Sequence, residues 1–497
     1  MEGSVSMKHL AIWNFLSSIL SVLLLFLGFL CLLSSGWAVT YYGTLDMSQI
    51  IYHLSVPLKG TASVILNSFY NYALIPSIII TAFVLILFIK IHAISSNSKK
   101  LWRRVLLSFA VSISLVLCSL KEVNAFDYFW KMSKNSTFFE NNYVDPSQVK
   151  ITFPEKKRNL IYIYVESYET TYLSKDLGGA LDDNLMEDMA TVAENGINFS
   201  NTDKLGGFQQ LPGTGWTIAA IVAQSSGVPL DIPVDTNLSL SGVNYLPGAY
   251  GIGQILEKEG YNQEFLIGSD KTFASRNLWF EQHGNYTIYD YGDAIADGRI
   301  SAGYDENWGY EDGKLFEYAK EDLQKLAAMD APFNLTLLTT DTHHPDGYLE
   351  DSCVVKYDDH FKAAINCSST MIYEFLQWLT EQDFYKDTTI VVTGDHLSMN
   401  TTLFENIDSD YKRTVFDIFL NSAITTEDNK NRQFSAFDMY PTTLASLGAV
   451  IDGNRLGLGT NLFSGEQTLL EKYGFDTMND ELSTHSKYYV QKIVYGK

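Results

Sequence analysis

From Leu10 through Leu45 no residue carries a charge. At ~1.5 Å of rise per helical residue such a run crosses ~30 Å of hydrocarbon, and backbone in lipid must satisfy its own hydrogen bonds. Leu10–Leu33 therefore reads as a spanning helix. A cleaved signal peptide would have an apolar core of about 7–15 residues with a small-residue site soon after, and this run is longer. Two further spans are expected at Ala73–Phe88 and Val105–Leu120, the last bracketed by Arg103, Arg104 and Lys121, whose aliphatic stems let the charges snorkel. Lys90, Lys99, Lys100, Arg103 and Arg104 fall in the connector between these two spans. That places the connector in the cytoplasm and everything after Leu120 outside. Residues 47–72 stay open between an interfacial stretch and a re-entrant one.

The charge balance separates the same two parts. Residues 1–125 hold eight Lys/Arg and three Asp/Glu, while the rest holds 27 and 55. An exterior that acidic repels phosphate backbones, and no basic stripe offsets it, so nucleic acid is not an expected partner. With 46% hydrophobic and 19% charged residues over 497 positions, the chain has the means to bury a core and the length for more than one domain. Cys31 and Cys118 lie in the expected spans. Cys353 and Cys367 are the only two outside, where an oxidising exterior favours pairing, two free thiols being the alternative.

After a juxtamembrane linker at 123–157, short β-branched runs alternate with helical ones. The runs are LIYIYVE (160–166), EFLIG (264–268), FNLTLLTT (333–340), TTIVVTG (388–394) and VFDIFL (415–420). Continuous apolar strands separated by helices imply an α/β domain, a mostly parallel sheet covered by helices on both faces, over 158–465, with a helical tail at 466–497.

The chemistry lies where these strands stop. The first ends in Glu166, the next in Gly268-Ser269-Asp270, another in Asp341-Thr342-His343-His344, and the last runs into Asp395-His396. A single strand-end acid usually caps a turn. Four such ends suggest one crevice, because ligands of open α/β sheets sit at the carboxyl ends of strands. Glu166, Asp395 and His396 offer two carboxylates and an imidazole, a set suited to a divalent cation such as Mn²⁺ or Zn²⁺. In LPGTGWTIAAIVAQSSG (211–227), Thr217 opens a helical run and brings a hydroxyl to a helix start, where anions are favoured; a simple N-cap is the alternative. His283 and His360 read as structural or surface histidines.

Together VESYE, GTGWTIA, DTHHPDG and TGDHLSMN resemble the alkaline phosphatase/sulfatase superfamily, and within it the membrane-anchored phosphoglycerol transferases and lipoteichoic acid synthases. RNLIYIY, YLPGAYG, FDMYPTTLASLG and RLGLGTNLFS extend the likeness over about 135–465, nearest to the branch that modifies osmoregulated periplasmic glucans. The resemblance implies a multi-pass protein of the bacterial cell membrane with an extracytoplasmic catalytic domain. It implies one divalent metal, Mn²⁺ with Zn²⁺ or Mg²⁺ as alternatives, on Glu166, Thr217, Asp395 and His396, with Thr217 also the nucleophile. His343 would contact the transferred phosphate or the leaving oxygen, with His344 in a smaller role. Arg276 would hold the glycerol phosphate, with Asp270 as an acidic partner. Phosphatidylglycerol would be the donor and a glycan or glycolipid the acceptor. Two departures argue against glycerol phosphate polymerisation: the synthases' tryptophan before the arginine is absent, with Ser275 nearby, and Asn400 replaces their second histidine. Other readings are a phosphoethanolamine transferase, a sulfatase or phosphodiesterase, and a glycan-binding scaffold without activity. The sequence lacks the C/S-x-P-x-R context of a sulfatase nucleophile and the cysteines that bracket the nucleophile helix of phosphoethanolamine transferases.

Overall fold

The computed structural model describes the backbone of all residues except 1, 44, 46, 57, 58, 93–97, 233–243, 305, 307 and 406. The centre of the basic connector thus lies outside the described residues. The chain divides into two units, Met1–Met47 with Ala62–Trp130, and Ser48–Thr61 with Lys131–Lys497.

The first unit holds helix α1 (Glu2–Tyr42). Helix α2 (Met47–Ser55) follows but belongs, from Ser48 on, to the second unit. Helix α3 (Ser63–Phe69) runs through a π-helical turn, Tyr70–Leu74, into α4 (Ile75–His92), and α5 (Ser98–Glu122) comes next. Among the described residues three stretches are long and apolar enough to cross a membrane: Phe15–Tyr42, Ser63–Leu87 and Trp102–Glu122. The second begins ten residues ahead of the expected start at Ala73, because the polar Asn71 and two tyrosines interrupt the apolar run while the helix continues through its π turn. Small residues bring α1 against α5. A Cβ on Gly28 would lie 3.0 Å from Ser112 Cα, and Ser112 and Ser119 donate to the carbonyls of Leu24 and Cys31. Such packing suits apolar surroundings, where burying hydrocarbon gives helices no incentive to associate. Leu16, Leu20, Leu23 and Leu27 stay exposed on α1, as lipid-facing residues would.

After helix α6 (Ala125–Met132), the main sheet of the second unit has, among the described residues, seven strands: β1 (Asn159–Val165), β2 (Gly207–Phe208), β3 (Asn262–Ile267), β4 (Thr287–Tyr289), β5 (Phe333–Leu338), β6 (Thr388–Gly394) and β7 (Val415–Leu420). They lie in the order β2-β7-β6-β1-β5-β3-β4. The five from β6 to β4 are parallel, and β7 and β2 close one side antiparallel. β1 is central and alternates its side chains between two cores. Leu160, Tyr162 and Tyr164 face α7 (Thr217–Ser226), while Ile161, Ile163 and Val165 face α9 (Asp312–Ala327) and α10 (His360–Thr380); α8 (Arg276–Gln282) follows β3. The sheet is therefore covered on both faces, the reason its strands lack polar alternation. Tyr489, Ile493 and Val494 of the tail are buried in the first of these cores. Cys353 and Cys367 form a disulfide, Cα to Cα 5.6 Å.

Candidate active site

Because β1, β3, β5 and β6 are parallel, their carboxyl ends share one edge of the sheet. Val165 pairs with Gly394, so Glu166 and Asp395 leave adjacent strands at the same level. Asp395 N–H donates to Val165 O, and Glu166 N–H to Thr339 Oγ1 at the end of β5. One ligand atom each from Glu166, Asp395 and His396 lies within 4.8 Å of the others. His396 Nε2 is 3.6 Å from Glu166 Oε1 and 3.4 Å from Asp395 Oδ2. All three are buried.

The cluster fits a divalent cation. Asp395 Oδ1 accepts from the N–H groups of Ser167 and His396, whereas the fully buried Oδ2 has no hydrogen-bond partner among the described residues. Buried polar atoms rarely go unpaired, and a bound cation would satisfy this one. His396 Nδ1 lies 2.8 Å from Leu397 O, which assigns the hydrogen to Nδ1 and leaves the Nε2 lone pair facing the carboxylates, as in metal-ligating histidines. With protein atoms alone, burial and neighbouring Glu166 push the Asp395 carboxyl up to about 7. Burial would raise Glu166 too, but His343 and His396 outweigh it and hold Glu166 below the usual range. Burial opposes the charge on His396, and Asp395 and Glu166 more than restore it. Two carboxylates this close repel unless positive charge lies between them.

Thr217 is the first residue of α7, and its Oγ1 donates to Glu166 Oε2 at 3.4 Å. The hydroxyl is not the N-cap. Trp216 holds that place with an extended backbone, and no side chain caps the first turn. α7 is registered on the sheet by Gln224, whose Nε2 donates to Gly394 O and Asp395 O while its Oε1 accepts from Tyr162. Thr342 adds a hydrogen bond to Glu166 O, and Ser167 Oγ donates to Glu166 Oε1.

Arg276, at the start of α8, is buried and donates from Nε to Phe273 O and from Nη2 to Ser269 Oγ and Asp270 O; among the described residues Nη1 makes no hydrogen bond. Burial lowers its pKa to about 10, with Glu166 the largest opposing charge. Asp270 is placed differently. Its carboxylate accepts from Thr272 N–H and Oγ1 and pairs with Lys59 at 3.6 Å, so only its carbonyl touches Arg276. His343 Nδ1 is tied to His344 O, its ring lies 4.6 Å from those of Trp308 and His344, and burial lowers its pKa against the pull of Glu166. Asn400 reaches from the β6 loop to donate to Pro345 O behind these histidines. His283 stacks on Trp279 at 4.1 Å and is structural; His360 is exposed and bonds Asp346 O.

Residues 158–449 match the family described as Sulfatase, more than half of the chain. The chain belongs to the Sulfatase family. Phosphoglycerol transferase I of Salmonella choleraesuis (strain SC-B67) is 33% identical over 333 residues, covering 65% of this Sulfatase-family chain and 41% of the relative. The chain spans less than half the length of the curated relatives it matches. Among solved structures, lipoteichoic acid synthase LtaP from Listeria monocytogenes is 15% identical with a TM-score of 0.51, covering 70% of this chain and 97% of that one. The integral membrane protein lipooligosaccharide phosphoethanolamine transferase A (EptA) from Neisseria meningitidis is 11% identical with a TM-score of 0.51, covering 87% and 84%. These two likenesses establish the alkaline-phosphatase-like fold of this Sulfatase-family member.

Sequence reasoning missed Ser167, Thr342, Gln224 and Trp308, which act through bonds or stacking to residues remote in the chain. It also missed Glu169, fully buried, which takes Arg413 in a two-pronged ion pair; Arg413 donates onward to Ser398 O in the loop after β6. The acidic VESYE run was the available signal for Glu169.

Proposed function

We propose that this chain transfers phosphoglycerol from phosphatidylglycerol to a hydroxyl of a glycan or glycolipid on the outer side of a bacterial cell membrane, releasing diacylglycerol. The observation that carries this reading is the approach of Thr217 Oγ1 to Glu166 within the cluster completed by Asp395 and His396. The similarity to phosphoglycerol transferase I supports the choice of transferred group. A threonine at this place, outside any C/S-x-P-x-R context, supports transfer over sulfate ester hydrolysis.

A divalent cation held by Glu166, Thr217, Asp395 and His396, Mn²⁺ in this reading with Zn²⁺ or Mg²⁺ as alternatives, would neutralise phosphoryl charge and favour the alkoxide form of a hydroxyl. In the first half-reaction Thr217 Oγ1 bonds to phosphorus as the bond from phosphorus to the diacylglycerol oxygen breaks, and the proton given up by Oγ1 leaves on that oxygen by way of His343 Nε2. In the second, the acceptor hydroxyl displaces Oγ1 and restores free Thr217. Arg276 Nη1, with its sister nitrogens held by the protein, offers a rigid donor to a non-bridging oxygen. His343, its Nδ1 tied back, keeps Nε2 as the proton carrier for the leaving and entering oxygens. His344 supports that ring by stacking, and Asp270 acts through its carbonyl on Arg276.

The test is release of diacylglycerol from fluorescent phosphatidylglycerol by the detergent-solubilised full chain, with and without chelator and Mn²⁺. Metal-dependent release that falls by about 10³-fold or more in Thr217→Ala is expected, as for loss of an enzyme's nucleophile. Release retained in Thr217→Ala would defeat the covalent scheme, and release from phosphatidylethanolamine alone would move the chain to phosphoethanolamine transfer.

A further inference from the structure

The residues between the first two membrane-spanning stretches do not cluster with them: Ser48–Thr61 belongs to the catalytic unit. Three contacts within that unit bring this segment to the turn that precedes Arg276. Tyr52 of α2, 1% exposed, donates its hydroxyl hydrogen to Ala274 O at 2.6 Å, and its oxygen lies 2.8 Å from the Tyr245 hydroxyl. Lys59 pairs with Asp270. Gly60, at φ +83°, approaches so closely that a Cβ there would lie 3.0 Å from Phe273 Cβ and 3.1 Å from Asp270 Cβ.

The contacted turn is itself unusual. Ala274 and Ser275 both adopt left-handed backbone, φ 52° and 61°, and neither is glycine. Left-handed backbone is strained for residues with a Cβ and persists only where its surroundings hold it. Here they swing the chain from the end of β3 into α8, so that Arg276 is the first helical residue and its guanidinium returns to Phe273 O, Asp270 O and Ser269 Oγ. The carbonyl Tyr52 bonds belongs to the first of the two strained residues. The Tyr52 ring also lies 6.0 Å from that of Trp216, the neighbour of Thr217. Tyr245 continues the brace from the other side, its N–H donating to Gln282 at the far end of α8.

We infer that Tyr52 is a positioning residue for Arg276: the segment between the first two membrane helices holds the strained turn that aims the arginine at the phosphate. This deepens the phosphoglycerol reading and rests on it for the identity of the substrate. It assigns this segment of the catalytic unit a part in headgroup recognition.

The test is a double-mutant cycle in the full chain with Tyr52→Phe and Arg276→Ala, read by calorimetric binding of inorganic phosphate to the metal-loaded protein and by kcat and KM for phosphatidylglycerol. Removing one buried hydrogen bond should weaken phosphate binding and raise KM by about three- to tenfold with a smaller change in kcat. That factor should vanish when Arg276 is already alanine, because the tyrosine acts through the arginine. Gly60→Ala, which crowds Phe273 and Asp270 from the other side, should reproduce the loss and is the second variant should Tyr52→Phe fold poorly. Equal losses with and without Arg276, no loss in either background, or a wild type that binds no phosphate would each overturn the inference. Coupled phosphate binding without diacylglycerol release would sustain the role of Tyr52 and defeat the phosphoglycerol reading instead.

Discussion

Glu264 shows how burial dominates the behaviour of a residue. On β3, half-buried and close to Asp322, its carboxyl is pushed up to about 7 from 4.5 by burial first and the neighbouring acid second. A raised carboxyl favours the neutral form in the fold, so its stabilising share is complete below the unfolded value of 4.5 and is lost as pH rises through 7. Glu264→Gln should therefore stabilise the catalytic unit by about 1–2 kcal/mol at pH 8, after allowance for solvent screening, and give no gain near pH 4, by thermal denaturation at both pH values. No such residue was legible beforehand, since a lone Glu in EFLIG looks like any strand acid. The strand-end groups Glu166, Asp395 and His396 were legible, because the apolar runs that end in them betray both the strand and its terminus. Ser167, Thr342 and Gln224 leave no local trace, because their partners are set by which strands become neighbours. Asp270 marks the opposite case: the segment was recognisable, but whether its carboxylate faces Arg276 depends on the Thr272 turn and on Lys59, which no spacing reveals.

Among the elements, α7 matters most, since the first turn carries Thr217 and the third carries Gln224. Gln224→Ala would strand the Tyr162 hydroxyl and the carbonyls of Gly394 and Asp395. We expect a loss of about 2–4 kcal/mol in stability, seen as a lower denaturation midpoint, with kcat falling because Thr217 and Asp395 lose their common register. The run of small and apolar residues TIAAIVAQSS announced the helix, but the role of its one amide did not show. The second membrane span makes the same point. Its apolar half was visible, and its start at Ser63 was hidden by a Tyr-Asn-Tyr interruption that the helix crosses.

For the whole molecule, charge balance and cation placement predict that the cell surface bears the acidic part. A cysteine introduced at exposed Glu381 should react with a membrane-impermeant maleimide on intact cells, and failure to label would reverse the orientation. Chelation should lower the thermal midpoint of the catalytic unit and Mn²⁺ or Zn²⁺ should restore it, by about 2–4 kcal/mol at 100–1,000 times the dissociation constant, because only the folded site gathers the ligands. The α/β class with a mostly parallel sheet was legible from the alternation of apolar strands and helices; the strand order was not, because it depends on long-range pairing. That order also governs timing. Glu166 lies 173 residues before the threonine that receives its amide hydrogen, and Ser167 lies 228 before Asp395. Thr217 and Glu166 are synthesised well before Asp395 and His396, so the three-residue cluster closes only once β6 has paired with β1.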